Sequence, residues 1–167
     1  MDILDFKQLL CSRVLVLDGA MGTMIQRFSF CESDFRGERF AAHNEKLAGC
    51  NDLLCIIRPD AIKSIHKAYL ESGADIISSN SFNANSVSMQ DYGLHRYPGL
   101  IREINRRAAI LAREAADEAP VKDWGGKALV AGSIGPTNRT ASMSPDVSDP
   151  AGRNVDYDSL FEAYCEQ

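Results

Sequence analysis

The chain has 167 residues, 45% of them apolar and 25% charged, and 18 Lys and Arg against 23 Asp and Glu leave a net charge of −5. That length supports one ordinary globular domain with a real core, and the acidic balance argues against a nucleic-acid partner, which takes a basic face. No apolar run approaches the roughly 20 residues of a membrane span, and the early acids Asp2 and Asp5, with no apolar leader region, point to a cytoplasmic protein.

Taken in order, Ile3, Leu4, Phe6, Leu9 and Leu10 form a rough helical stripe over residues 3–12. Val14-Leu-Val-Leu17 then reads as a buried strand, stopped by Asp18-Gly19-Ala20-Met21-Gly22. Asp18 falls at the strand's carboxyl end, where α/β folds bind ligands. A short helix through Met24, Ile25 and Gln26 follows. A carboxylate beside approachable backbone N–H groups suits a small zwitterion; the alternative is that Asp18 caps the following turn. Residues 27–57 read as a long excursion over the strand end, ordered by Phe28, Phe30, Phe35 and Phe40, with a short helix near Glu45–Ala48.

Arg58-Pro59-Asp60 opens a helix, because Pro fits the first turn and Asp complements the dipole. Ala61, Ile62, Ile65, Ala68 and Tyr69 are its apolar face, His66 falls on its solvated face, and Gly73 ends it. Ala74–Asn80 is a second strand, so a strand, helix and strand follow one another as a parallel βαβ unit. It exits through Ser78-Ser79-Asn80-Ser81-Phe82-Asn83. A short helix in 84–93 closes on Gly93, and His95 falls in a loop. Pro98 and Gly99 start a long helix over 100–118, with Ile101, Ile104, Ala108, Leu111 and Ala115 inward and Arg102, Arg106, Arg107 and Arg113 solvated. Trp124 sits in a turn as a packing residue. Lys127–Pro136 is a third strand and its exit, followed by a loop over 137–155 that composition alone makes flexible. Asp156 caps a last helix through Tyr157, Leu160, Phe161 and Tyr164.

Five cysteines, Cys11, Cys31, Cys50, Cys55 and Cys165, make an odd, widely spaced set without a Cys-x-x-Cys pair. That disfavours a disulfide framework and a zinc knuckle. Cys50 and Cys55 with His43 nearby are a weaker metal alternative to plain thiols. The overall pattern is α/β: three βα units, of a TIM barrel or of an open doubly wound sheet. A full barrel takes about 250 residues, so this chain would reach only the first part of one.

Three motifs carry a resemblance. Val14–Gln26 is the first, Asp34-Phe-Arg-Gly-Glu-Arg-Phe40 the second, and Val130–Val147, with Asn138-Arg-Thr-Ala-Ser142 inside it, the third. With Gly73-Ala-Asp-Ile-Ile77 and Asn80-Ser-Phe82 they resemble the start of the cobalamin-dependent methionine synthases, from about residue 12 to the end. The first motif alone fits the wider homocysteine S-methyltransferase family; the second and the Asn-Arg-Thr-Ala-Ser stretch resemble the cobalamin type.

The resemblance implies that residues 1–167 are an incomplete homocysteine-binding domain, the N-terminal part, about three βα units, of a TIM (β/α)8 barrel. It implies a methyl transfer from methylcobalamin, recharged by methyltetrahydrofolate on separate domains, to a homocysteine thiolate. Zinc held by three cysteines of the later barrel would lower the thiol pKa. The zinc and cobalamin ligands lie outside this chain by the same likeness, so it implies no metal or catalytic residue here and an inactive segment. Carried over residue by residue, Asp18 binds the substrate ammonium and the Gly19 and Met21 N–H groups face its carboxylate. Asn80, Ser81, Phe82, Ser133 and Gly135 line the pocket. Ala20 departs from a family glycine, and Ser78 stands where a glutamate is expected. Two other readings are a methyltransferase with another donor such as betaine, against which the Asn138–Ser142 loop argues, and a non-catalytic partial-barrel module. A partial barrel leaves its first and third strands unpaired on one side, so a homo-oligomer through exposed edges is expected, beside the remaining barrel, folate and cobalamin domains as partners.

Overall fold

The computed structural model describes residues 3–167. Met1 and Asp2, and with them part of the argument against a leader, lie outside the described residues. The elements in order are α1 (Ile3–Ser12), α2 (Met21–Gln26), α3 (Glu32–Arg36), α4 (Leu54–Ile57), α5 (Pro59–Glu71), β1 (Ile76–Ser78), α6 (Leu100–Glu118), β2 (Leu129–Ala131) and α7 (Tyr157–Glu166). Short 3-10 turns stand at Asn51–Leu53, Ser88–Tyr92 and Leu94–Arg96.

β1 and β2 pair in parallel, with Ile76 opposite Leu129, Ile77 opposite Val130 and Ser78 opposite Ala131. On the other side of β1, Leu17 makes a parallel bridge to Ile76. The Ile76 N–H donates to Val16 O at 3.1 Å and the Asp18 N–H to Ile76 O at 2.9 Å. Three passes therefore run the same way with β1 in the middle, as helical crossovers require. All three carboxyl ends open on one side.

Helix α6 forms where the 3.6-residue period predicts it. Ile101, Ile104, Ala108, Leu111 and Ala115 are buried along one face, and Gly99, in the left-handed region at φ 74°, turns the chain into its first residue. α6 packs on α5 and on the turns of the excursion. One core joins Phe35, Phe40, Leu47, Leu53, Leu54, Ile62, Ile65 and Ile104. A second, of small residues, joins Ala74, Ile77, Ala112, Ala115, Ala116 and Ala128 and brings α6 close to the sheet. In α7, Asp156 Oδ1 accepts the Ser159 N–H at 2.7 Å, the expected cap.

Several expectations are corrected. Val14-Leu-Val-Leu17 is an extended pass with a single bridge, not a buried strand; Val14, Val16 and Leu17 are 84%, 54% and 56% exposed, because no element covers their outer side among the described residues. On α1, Leu10 is likewise exposed. The Glu45–Ala48 stretch is not helical. Its N–H groups go elsewhere: Leu47 donates to Glu32 Oε1 at 2.9 Å and Ala48 to Glu32 Oε2 at 2.7 Å. Glu32 opens α3, a helix absent from the sequence reading and capped at its N-terminus by a Cys31–Asp34 capping box. His66 is fully buried, not solvated. Residues 137–155 are irregular but tied down: Arg139 reaches Val87 O at 2.7 Å and Asp91 Oδ1 at 2.8 Å, and Val155 packs with Val87 and Ala163.

Candidate functional site

The exits of the three parallel passes converge. Asp18 leaves the first, Ser78, Ser79 and Asn80 leave β1, and Ser133 follows β2. With Gly19, Met21, Phe82, Asn51, Asp52 and Asn83 they line a cavity of about 410 Å³. Of the residues singled out in the sequence, Asp18, Gly19, Met21, Asn80, Phe82 and Ser133 meet there. Ser81 and Gly135, expected to line it, stand behind it. Ser81 Oγ donates to Ser133 O at 2.9 Å and shares a 2.8 Å hydrogen bond with Ser79 Oγ, which accepts the Ser133 N–H at 2.9 Å. These hydroxyls hold the β1 and β2 exits together. Gly135 gives its N–H to Phe82 O at 2.9 Å. A Cβ at that position would lie 2.6 Å from both the Phe82 ring and its carbonyl, so the approach requires glycine.

Asp18 does not cap the turn that follows it. The N-cap of α2 is Ala20, without a side-chain cap. The carboxylate instead spans two passes, with Oδ2 accepting the Ser78 N–H at 2.8 Å and Oδ1 the Ser78 hydroxyl at 2.9 Å. The departure at Ser78 thus supplies a donor where the resemblance expects a second carboxylate. Ala20, at φ −65° and ψ 96°, sits in ordinary extended backbone, so alanine in place of glycine is unstrained.

Asp52, Asn51 and Asn83 are cavity residues that the sequence reading missed. Asp52 lies in the excursion, where its one signal is an acid directly ahead of the apolar Leu53-Leu54-Cys55. Burial pushes the Asp52 carboxyl up to about 6, against the pull of the Asn83 N–H, which reaches Oδ1 at 3.0 Å. Asn80 is buried below the cavity, its amide donating to Asn51 O at 2.8 Å and to Cys55 Sγ at 3.4 Å.

Cys50 and Cys55 are buried thiols with partners of their own. Burial pushes Cys50 up and Cys55 up to about 12. Cys50 packs on Met89 Sδ at 3.6 Å, and Cys55 donates to Asn80 O at 3.3 Å. His43 is engaged through both ring nitrogens, with Tyr97 Oη at 2.9 Å and Tyr92 O at 2.8 Å. Among the described residues no three metal-ligating side chains come together.

Comparison with known proteins bears on what this cavity belongs to. Among solved structures, the homocysteine methyltransferase MmuM from Escherichia coli in its oxidized form is 25% identical, with a TM-score of 0.57, over 77% of this chain and 39% of that one. The metallated form of the same enzyme is 24% identical, with a TM-score of 0.56, over 77% of this chain and 40% of that one, and at that identity shows the fold alone. This chain spans well under half the length of either. The pattern of the homocysteine S-methyltransferase family matches residues 15–167, from the first parallel pass through α7. The chain belongs to the homocysteine S-methyltransferase family.

Proposed function

We propose that this chain is the first part, about three βα units, of the homocysteine-binding TIM barrel of a cytoplasmic methionine synthase of the cobalamin type. The observation that carries the reading is the convergence of Asp18, Ser78–Asn80 and Ser133 from three parallel passes on one cavity. In α/β folds with parallel strands that side is where ligands bind. Family membership supports homocysteine as the ligand. The Asn138–Ser142 stretch, which resembles the cobalamin type, supports methylcobalamin over a donor such as betaine.

In this reading Asp18 faces the substrate ammonium, and the Gly19 and Met21 N–H groups face its carboxylate. Ser78 fixes the Asp18 carboxylate, and Ser79 and Ser81 fix the distance between the β1 and β2 exits. Zinc and cobalamin belong to the rest of a longer protein, together with the folate domain; zinc would supply a thiolate at neutral pH. This segment alone binds one wall of the substrate and transfers no methyl group.

The test is an amide NMR titration of the chain with L-homocysteine. Shifts at Gly19, Met21, Ser78 and Ser133 that vanish in Asp18→Asn are the expected result. Binding without those shifts, no binding at all, or methionine formation from methylcobalamin by the chain alone contradicts the reading.

A further inference from the structure

Asp52 is a buried carboxylate of the cavity with no cation beside it among the described residues. Its residue is only 5% exposed, yet it lines the cavity. The Asn83 N–H reaches its side chain on Oδ1. Among the described residues no lysine, arginine or histidine forms an ion pair with it, whereas Asp75, equally buried, has the Arg13 guanidinium at 3.6 Å. Asp18, on the same wall, is already held through both oxygens by Ser78. A buried carboxylate without a cation is costly in the ionised form, and a cation delivered by a ligand removes that cost. The same cavity is lined by Asn51, Asn80 and Asn83. Amide oxygens there suit an ammonium group, which brings three donors. Among the described residues no group of three metal-ligating side chains includes Asp52.

The geometry points to Asp52 as the principal counter-ion for the ammonium group of the amino-acid ligand, with Asp18 as its positioning partner. This rests on the homocysteine reading of the cavity and adds a residue that family resemblance did not supply. The empty protein then holds a proton on Asp52 more readily than an exposed carboxylate would, and the ligand ammonium displaces it, so ligand uptake releases a proton on the acid side of neutrality.

Two probes separate the inference from the reading beneath it: L-homocysteine, and 4-mercaptobutyrate, which keeps thiol and carboxylate but lacks the ammonium. At pH 7.5 the wild-type chain is expected to prefer L-homocysteine by at least about tenfold, a charged hydrogen-bonded contact being the difference. Asp52→Asn is expected to bring the two ligands within about twofold of each other, with 4-mercaptobutyrate binding unchanged or tighter. Asn keeps an oxygen for the Asn83 N–H, and a melt at or above the wild-type temperature at pH 7.5 confirms its fold. A second measurement needs no variant. Between pH 7.5 and 5.5, wild-type affinity for L-homocysteine is expected to fall about fourfold while that for 4-mercaptobutyrate does not fall. If Asp52→Asn, or Asp18→Asn in its place, shows that the preference belongs to Asp18 alone, Asp52 is not the counter-ion and the homocysteine reading stands. An affinity for L-homocysteine that does not change with pH also overturns the role of Asp52. If neither ligand shifts the cavity amides, the homocysteine reading fails and takes this inference with it.

Discussion

The molecule has a closed half and an open half, and both carry apolar runs. In the closed half, α3 to α6 and the excursion bury Phe35, Phe40, Leu47, Leu54, Ile62 and Ile104 in one continuous core. In the open half, Val14, Val16, Leu17, Ile134 and Phe161 carry the same kind of side chain and stay exposed. The difference lies in partners. The closed half meets its own next element within a few tens of residues, whereas the first pass and β2 each have a neighbour on one side only among the described residues. A hydrophobic run predicts that a segment seeks cover; whether it finds cover depends on which elements fold beside it.

The sharpest way to test that contrast is one chemical change made in both halves. Phe40 is 2% exposed and packs edge-on against Tyr97 at 5.4 Å. Phe40→Ala is expected to cost about 4 kcal/mol by urea denaturation, through lost burial and the cavity left behind. Phe161 on α7 is 58% exposed. Phe161→Ala is expected to cost less than about 1 kcal/mol. Equal costs would show that the open half is covered in solution.

Closure has a cost of its own, visible in pH. His66 is sealed in α5 with neither ring nitrogen hydrogen-bonded, and burial lowers it to about 4. Unfolded histidine titrates near 6.5, so the stability this group contributes is present above that pH and is lost as pH falls toward 4. Asp52, raised to about 6, works the other way. Its contribution is present below an ordinary carboxylate pKa of about 3.9 and is lost as pH rises through 6. Each window amounts to at most about 3 kcal/mol at 1.36 kcal/mol per pKa unit. The two oppose each other between pH 4 and 6 and flatten the wild-type profile there. His66→Leu is expected to become less stable on going from pH 4 to 6, and Asp52→Asn more stable. Parallel urea midpoints for the two variants across that range would contradict both assignments.

The seam between the halves is Gly135 against Phe82. Gly135→Ala places a methyl group 2.6 Å from a ring and a carbonyl, so Phe82 or the β2 exit must move. The expected cost is about 2 kcal/mol by urea denaturation, the usual range for overpacking. A neutral result would mean that this exit already moves freely.

Much of this arrangement could be read in advance, and the reasons differ by element. α6 was legible because its period, its starting glycine and its charged face all agree over 19 residues. The strand exits at Asp18, Asn80 and Ser133 were legible because each apolar run stops on polar residues. α3 and the non-helical Glu45–Ala48 stretch were not, because a carboxylate 15 residues upstream, Glu32, takes the N–H groups that a local reading assigns to a helix. Asp52 escaped notice because it belongs to no strand end. His66 was misplaced because spacing alone did not tell which flank of α5 would be covered.

The smallest energetic change tests the open half most directly. β2 and the first pass present backbone edges, and Val16, 54% exposed, lies on the pass whose outer side is bare. Such an edge recruits another strand, and a lysine on it blocks pairing by keeping its charge in water. Val16→Lys is expected to change monomer stability by less than about 0.5 kcal/mol, because little is buried there to lose. It is also expected to lower the mass measured by light scattering at tens of micromolar, where the bare edges of the wild-type chain are expected to pair with further copies. A wild-type chain already monomeric at that concentration would mean that twist or the adjacent α1 protects the edge. In that case the open half would be a surface that tolerates water, and the contrast with the closed half would be one of packing alone.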